Sequence, residues 1–315
     1  MKDEKYWTKR AELLEGKTYK DTTKFLKDLN NVYEQNVTAI EKEIHYFVNK
    51  YATENGLSFA EASKNLTSIE FSDYRRQMNT LTNEYKRTGS EKLLARIKEL
   101  EARSVVTRLD AIKNQIELRM DILAEELNGE VEGHLQNVYE KAYLITGEDI
   151  AIGLNIEQAF TTADLTTIQE VLKYPYSGML FSDRIWKCTD KLNSSIIEVL
   201  QTSLVQGKSI PQMSKALKEK LTTKGVKGYA NYDVTRVVRT ETMFILEQAQ
   251  HDANTRYGFT KYRIITAHDE RTCRKCAPHD MEEHLEEDRM AGVTAPPFHP
   301  LCRCCTAPVA TSLQT

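Results

Sequence analysis

Five of the six cysteines crowd into one stretch: Cys273, Cys276, Cys302, Cys304 and Cys305, with Cys188 standing alone. A Cys273-x-x-Cys276 spacing on a tight turn faces two thiolates toward one point, half of a tetrahedral zinc site. The second pair is Cys302-x-Cys304. In extended backbone, residues i and i+2 project to the same face, so this pair completes the tetrahedron. His299 offers an imidazole and is the alternate ligand, with His279 also in reach along the chain. The chemistry expected of Cys273, Cys276, Cys302 and Cys304 is therefore a structural zinc site. Two other readings stand beside it: reduced thiols filling a small core, and a disulfide of the Cys273–Cys302 kind formed outside the cell.

The neighbouring His268, Asp269, His279, Asp280 and His284 invite a hydrolytic reading. A metal-dependent nuclease of the His-Asn-His type also pins a small site with cysteine pairs. It needs a Gly-rich turn and an Asn- or His-bearing helix after the central histidine. Here His279-Asp280 is followed by Met-Glu-Glu-His-Leu-Glu-Glu-Asp-Arg, an acidic run that repels a phosphate backbone. That run reads as a solvated loop face, since it lacks the ligand spacing of a calcium loop. No phosphate-binding glycine loop, zinc-protease HExxH or GxSxG elbow occurs. Cys188, beside Trp186, reads as a core thiol. Arg236, Arg239 and Glu241 share one helix, where an ion-pair network is the plain reading and a contact with a partner or with DNA the functional one.

The elements that must position these groups are mostly helical. Tyr33, Val37, Ile40, Ile44, Phe47 and Tyr51 step by fours and threes, the seam of a helix packed along a partner. Gly56 ends it, and Ser58 with Glu61 forms a capping box for a short helix. A long helix is expected from Ser90 to Leu127, with Leu93, Ile97, Leu100, Val105, Leu109, Ile112, Ile116, Met120 and Leu123 on one stripe and Asn128-Gly129 as its stop. At about 1.5 Å per residue such a helix reaches about 60 Å, which suits an arm better than a sphere. Gly147, Gly153, Tyr174-Pro175-Tyr176 and Gly178 mark a hinge over 147–190. Helices follow over Ser194–Leu204, over Ile210–Leu221 with Pro211 in its first turn, and from Val234 to about Arg256, where Gly258 stops the helix. Lys261–Ala267 alternates and is rich in β-branched residues, as strands are.

With 315 residues, 40% hydrophobic and 28% charged, the chain supports one large domain or two ordinary ones and is not a disordered chain. A net charge of −3 gives no global field toward DNA or an anionic membrane, so a DNA contact requires a local patch. No apolar run reaches the roughly 20 residues that span a bilayer, so no membrane is expected. The opening MKDEKYWTKRAELLEG is charged, without the apolar core of an export signal, and a cytoplasmic life is expected. The fold class is mainly α with a C-terminal α+β module: a long helical arm over 1–180, then a small cysteine-pinned domain over 181–315.

Three blocks taken together resemble the phage Mu protein F-like family of head-morphogenesis and minor capsid proteins. They are Arg239-Thr240-Glu241, then Thr266-Ala-His-Asp-Glu-Arg-Thr-Cys-Arg-Lys-Cys276, then Pro297-Phe-His-Pro-Leu-Cys-Arg-Cys304. The family places Thr after its last cysteine, whereas here Cys305 intervenes before Thr306; the His-Pro-x-Cys-Arg-Cys register points to Cys304 as the ligand. The Tyr6-Trp7…Arg10 opening also looks like minor capsid proteins of phages of Gram-positive hosts. The resemblance implies a non-enzymatic, low-copy component of the head interior, made in the host cytoplasm and bound to the portal protein. The major capsid protein and phage DNA are further partners it implies, and assistance to head assembly, DNA packaging or ejection is the role. It also singles out Arg239, Thr240, Glu241, Asp269 and Arg271 as partner-binding or structural. A zinc-pinned nuclease or a non-catalytic DNA-binding protein is the alternative.

Overall fold

The computed structural model describes residues 1–52, 57–85, 91–101, 105–157, 162–221, 229–268 and 272–313. Among them the helices are α1 (Glu4–Tyr51), α2 (Phe59–Ala62), α3 (Ser68–Tyr85), α4 (Glu91–Glu101), α5 (Arg108–Leu154), α6 (Leu165–Leu172), α7 (Phe181–Val205), α8 (Ile210–Leu221) and α9 (Tyr229–Arg256). The strands are β1 (Lys261–Ile265), β2 (Glu283–Leu285) and β3 (Cys305–Pro308). The fold is mainly α with a C-terminal α+β part. The chain forms two compact units, one from residues 1–27, 130–184 and 235–315, the other from 28–129 and 185–234.

In the unit of residues 28–129 and 185–234, the α1 seam behaves as its spacing predicts: Tyr33, Val37, Ile40, Ile44 and Phe47 are buried. The partner is α5, running antiparallel. Asn36 Nδ2 donates to Glu126 Oε2 at 2.8 Å, and Arg119 Nε to Glu43 Oε1 at 2.8 Å. Ser58 caps α2, accepting from the Glu61 amide at 3.1 Å. The proposed break at Gly56 and the start at Ser90 lie outside the described residues.

The single helix expected over 90–127 is instead two. After α4, residues 105–107 are not helical, Val105 is exposed, and α5 starts from a fresh capping box. The Asp110 amide donates to Thr107 Oγ1 at 3.0 Å, and the Thr107 amide to Asp110 Oδ2 at 3.2 Å. Leu93, Ile97 and Leu100 therefore do not extend the α5 stripe. They form a separate cluster with Tyr74 and Met78 of α3 and with Leu118 and Ile122 of α5. Ile196, Leu200 and Leu204 of α7 and Met213 and Leu217 of α8 are buried as their spacing requires.

Asn128-Gly129 does not stop α5, and Gly147 does not break it. Leu127, Val131 and Leu135 are all fully buried, so the stripe runs on past the glycine. Burial of such side chains is worth about 1.5–3 kcal/mol each, more than the roughly 1 kcal/mol a mid-helix glycine costs.

In the unit of 1–27, 130–184 and 235–315, the start of α1 lies against the end of α5. Tyr6 Oη donates to the Asp149 carbonyl at 2.8 Å, and Arg10 pairs with the Asp149 carboxylate. Trp7 is buried edge-on to Phe259 and sits where a side chain on Gly153 would stand. α9 is buried on nearly every side from Val238 to Ala253 and ends before Gly258, whose φ of +87° is the left-handed geometry a helix stop uses. β1 then pairs antiparallel with both neighbours in the order β2-β1-β3. Register sets Ile265 opposite Cys305 and Ile264 opposite Thr306. Because the strand period is two, Ile265, Cys305 and Ala307 join Trp7 and Ile150 on one face, while Tyr262 and Ile264 join Ala295 on the other.

Candidate metal centre

The Cys273–Cys276 block is a tight turn after β1, in which the amides of Cys276 and Ala277 donate to the Cys273 carbonyl at 3.1 and 3.0 Å. The second block is the loop entering β3. Its Leu301 has a φ of +65°, a strained geometry for a leucine. Two contacts hold it there: the Cys302 amide donates to the His299 carbonyl at 3.1 Å, and the Leu301 amide to Thr240 Oγ1 at 3.2 Å.

These two blocks bring five of the singled-out residues together. Cys276 and Cys302 Sγ are 3.8 Å apart, and His299 Nε2 lies 3.1 Å from Cys273 Sγ and 3.0 Å from Cys276 Sγ. Two ligand triplets result, Cys273–Cys276–His299 and Cys276–Cys302–Cys304, sharing Cys276, with the atoms of each within 4.8 Å of one another. His299 Nδ1 donates to the Pro300 carbonyl at 2.8 Å, which leaves the Nε2 lone pair facing the sulfurs. Cys304 and Cys305 diverge by the strand alternation: Cys304 packs with Cys276 and Cys302, whereas Cys305 faces Trp7 and Ala11. All six cysteines are free thiols, and Cys188 is half-buried on α7.

The cluster is electrostatically graded. The Cys304 thiol donates to Cys302 and, against the cost of burial, the backbone amides of Cys304 and Phe298 bring Cys302 down to about 5. Burial and the adjacent Cys302 sulfur push Cys276 up to about 12. Burial would raise Cys273 as well, but the Cys276 and Lys275 amides outweigh it and hold that thiol below its ordinary value. The Cys276–Cys302 separation fits a tetrahedral zinc, since two thiolates each about 2.3 Å from the metal stand about 3.8 Å apart. The His299 contacts are hydrogen-bond separations, inside the roughly 3.6 Å between sulfur and nitrogen ligands of such a site. The donor set suits zinc: soft thiolates and one imidazole, at a turn that presents amides to sulfur.

Of the remaining candidates, Arg239 and Glu241 contact residues outside the cysteine cluster. Arg239 lies over the Tyr19 ring, 4.3 Å from its centroid, and donates to Thr23 Oγ1 at 3.1 Å. Arg236 is exposed. Glu241 is buried 3.8 Å from Arg184 Nε; burial pushes its carboxyl up to about 7, with Arg184 opposing. Asp269 and Arg271 lie outside the described residues. The histidines of the hydrolytic reading split: His268 stands apart, while His284 Nε2 lies 3.6 Å from the Glu282 Oε2 that His279 also meets. His268 Nε2 contacts Asp280 at 2.9 Å, whereas His279 Nδ1 contacts Glu282 at 2.7 Å and stacks on Phe298.

The acidic run is not wholly a solvated face: Glu286 is buried, and with Glu247 it encloses Arg289. Arg289 Nε meets Glu286 Oε2 at 2.8 Å and its NH1 meets Glu247 Oε2 at 3.1 Å, while Glu247 also accepts the Thr306 hydroxyl at 2.7 Å and amide at 3.1 Å. Sequence reasoning missed this network. The available signal was a carboxylate at 247 directly after Met243-Phe-Ile-Leu, where helix periodicity buries most positions.

Residues 194–307 match the family model described as phage Mu protein F like protein. This stretch is similar to that family, over 114 of the 315 residues. It begins within α7, ends in β3 and contains all the cysteines of the centre, together with Arg239-Thr240-Glu241. The F-like match points to a phage head protein, of the head-morphogenesis or minor capsid kind and structural in character. No curated protein and no solved structure matches the chain. No helix among the described residues is long and apolar enough to cross a membrane.

Proposed function

We propose that this protein is a low-copy minor capsid component of the phage head interior, bound to the portal protein and assisting head assembly, DNA packaging or ejection. Its work in the cell is then done in the host cytoplasm during assembly, and its final place is the virion. The observation that carries this reading is the F-like match, whose three sequence blocks meet in space: Thr240 of the α9 block accepts the Leu301 amide of the last block, and Cys276 of the middle block meets Cys302. Such cross-linking makes a rigid docking unit rather than an open catalytic cleft. In this reading, residues 181–315 supply the docking module and 1–180 the helical reach, as a division of roles. Cys273, Cys276, Cys302 and Cys304 hold a structural zinc, with His299 as alternate, and the bound ion would lock the two cysteine blocks together. Arg239, Thr240, Glu241, Asp269 and Arg271 belong to the module's internal framework or its partner face. The major capsid protein and packaged DNA are further contacts.

Co-expression with the portal protein of the same phage, without DNA, tests the proposal. Stable co-purification is expected. A chain that ignores the portal and instead cleaves or retains DNA would replace this reading with the nuclease or DNA-binding alternative.

A further inference from the structure

A cavity of about 580 Å³, whose lining includes none of the cysteines, opens beside α9 between the Tyr174–Tyr176 turn and the loop from Glu286 to Pro296. One wall is aromatic. Phe244 stacks on Tyr176 at 4.3 Å between centroids and on Tyr174 at 6.0 Å, with interplanar angles of 13° and 18°. Glu247, three residues after Phe244 on α9, lines the same cavity with Glu286 and Glu287 of the loop. At the rim, Tyr174 and Met290 are 61% and 60% exposed.

The charges inside select what can enter. Arg289 is a cation on this lining, and its guanidinium is already spent on Glu286, Glu247 and Thr306, with its carbon 3.9 Å from the Tyr262 ring centroid. His251 Nδ1 is engaged by Glu286 at 2.7 Å. Every oxygen of Glu247 accepts a hydrogen bond from Thr306 or Arg289; burial pushes this carboxyl up to about 7, with Arg289 and Thr306 opposing. Glu247 and Glu286 are thus committed to Arg289, Thr306 and His251, and Glu287 is the exposed carboxylate of the lining. With the arginine held by two carboxylates and a third beside it, the lining favours a cation over an anion next to the exposed Tyr174 ring.

We infer that this cavity is a docking pocket for an arginine side chain presented by a protein partner. A planar guanidinium suits this lining, stacking on the exposed Tyr174 ring and donating to Glu287, in a way a lysine ammonium does not. The exposed Tyr174 and Met290 at the mouth take apolar neighbours of that arginine, as an interface anchor requires. The inference rests on the head-assembly reading only in taking the partner to be a polypeptide.

The test uses the full chain with three probes: N-acetyl-Leu-Arg-Leu-amide, the same peptide with neutral citrulline in place of arginine, and spermidine. The Met290 methyl resonance reports occupancy, and the other methionine methyls report folding. Expected is a saturable Met290 shift with the arginine peptide, weakened roughly tenfold by citrulline and by Glu287→Gln, an exposed and conservative change. Equal binding of the citrulline peptide, no saturable shift, or a spermidine response as strong as the peptide's would overturn it, the last marking a free-cation site. No other phage protein enters this measurement, so its outcome is separate from that of the portal co-purification.

Discussion

Gly153 and Gly133 lie in the same helix, α5, and the same substitution is expected to act on them in opposite directions. A mid-helix Gly→Ala change gains roughly 0.5–1 kcal/mol from backbone entropy and propensity. At Gly133 nothing lies within 4 Å of the new methyl, so Gly133→Ala should stabilise by about that amount. At Gly153 the methyl falls inside the Trp7 indole. Trp7 is 2% exposed and wedged against Phe259, so it has no free rotamer to retreat into. Overpacking of this kind costs about 1–3 kcal/mol, and outright expulsion of the ring approaches the roughly 3–5 kcal/mol of a Trp→Ala change. Less the propensity gain, which is smaller in the last turn, Gly153→Ala should destabilise by about 1–3 kcal/mol. Urea unfolding followed by tryptophan emission reads this directly, because the chain has only 2 tryptophans and Trp7 is one of them. Trp7→Leu in the Gly153→Ala background should recover part of the loss. A Gly153→Ala protein as stable as Gly133→Ala, with unchanged emission, would refute the packing argument.

Three further outcomes are expected. His134 is stacked on Phe25, and burial lowers its pKa to about 4; the unfolded chain takes up that proton near 6.5, so this stability is present above 6.5 and lost as pH falls toward 4. His134→Phe should therefore flatten the fall in urea midpoint between pH 7 and pH 4.5, where the wild-type loss is at most about 3 kcal/mol; an unchanged slope would count against the assignment. Thr240→Val removes the acceptor of the Leu301 amide, which should cost about 1 kcal/mol and speed hydrogen exchange at that amide roughly fivefold, with exchange as slow as wild type as the contrary result. If Cys304 is a zinc ligand and Cys305 is not, elemental analysis should find one zinc per chain in Cys305→Ala and a loss of it in Cys304→Ala; the reverse pattern would reassign the ligand.

The elements that were legible in the sequence carry local signals that nothing distant contradicts. Ser58, Pro211 and Gly258 each act at an end where the backbone alone decides, and the α1 seam needs only its own period. The misread elements were decided by competition. Asn128-Gly129 has the composition of a stop, but Val131 and Leu135 continue the buried stripe beyond it, and packing outweighs the glycine. The break before α5 was legible as Thr107-x-x-Asp110, a capping box masked by the apolar residues on either side. The two cysteine blocks were readable as blocks because the spacing within each is short-range, and the structure brings their thiols together. The Glu247–Arg289–Glu286 network was not, since its members meet only when β3 pairs with β1 and the loop after β2 folds back over α9.

Trp7 shares its apolar cluster with Phe259, Cys305, Ala307 and Ala310, so the last of these are made roughly 300 positions after it. At a synthesis rate of roughly 5–20 residues per second, the nascent chain carries this indole without those partners for roughly 15–60 s. Helix–coil relaxation takes about a microsecond or less, so α1 can form and re-form many times over before its core exists. This part of the molecule is thus timed by the ribosome and not by its own folding rate, and during the wait its apolar face is open to chaperones or to a neighbouring nascent copy.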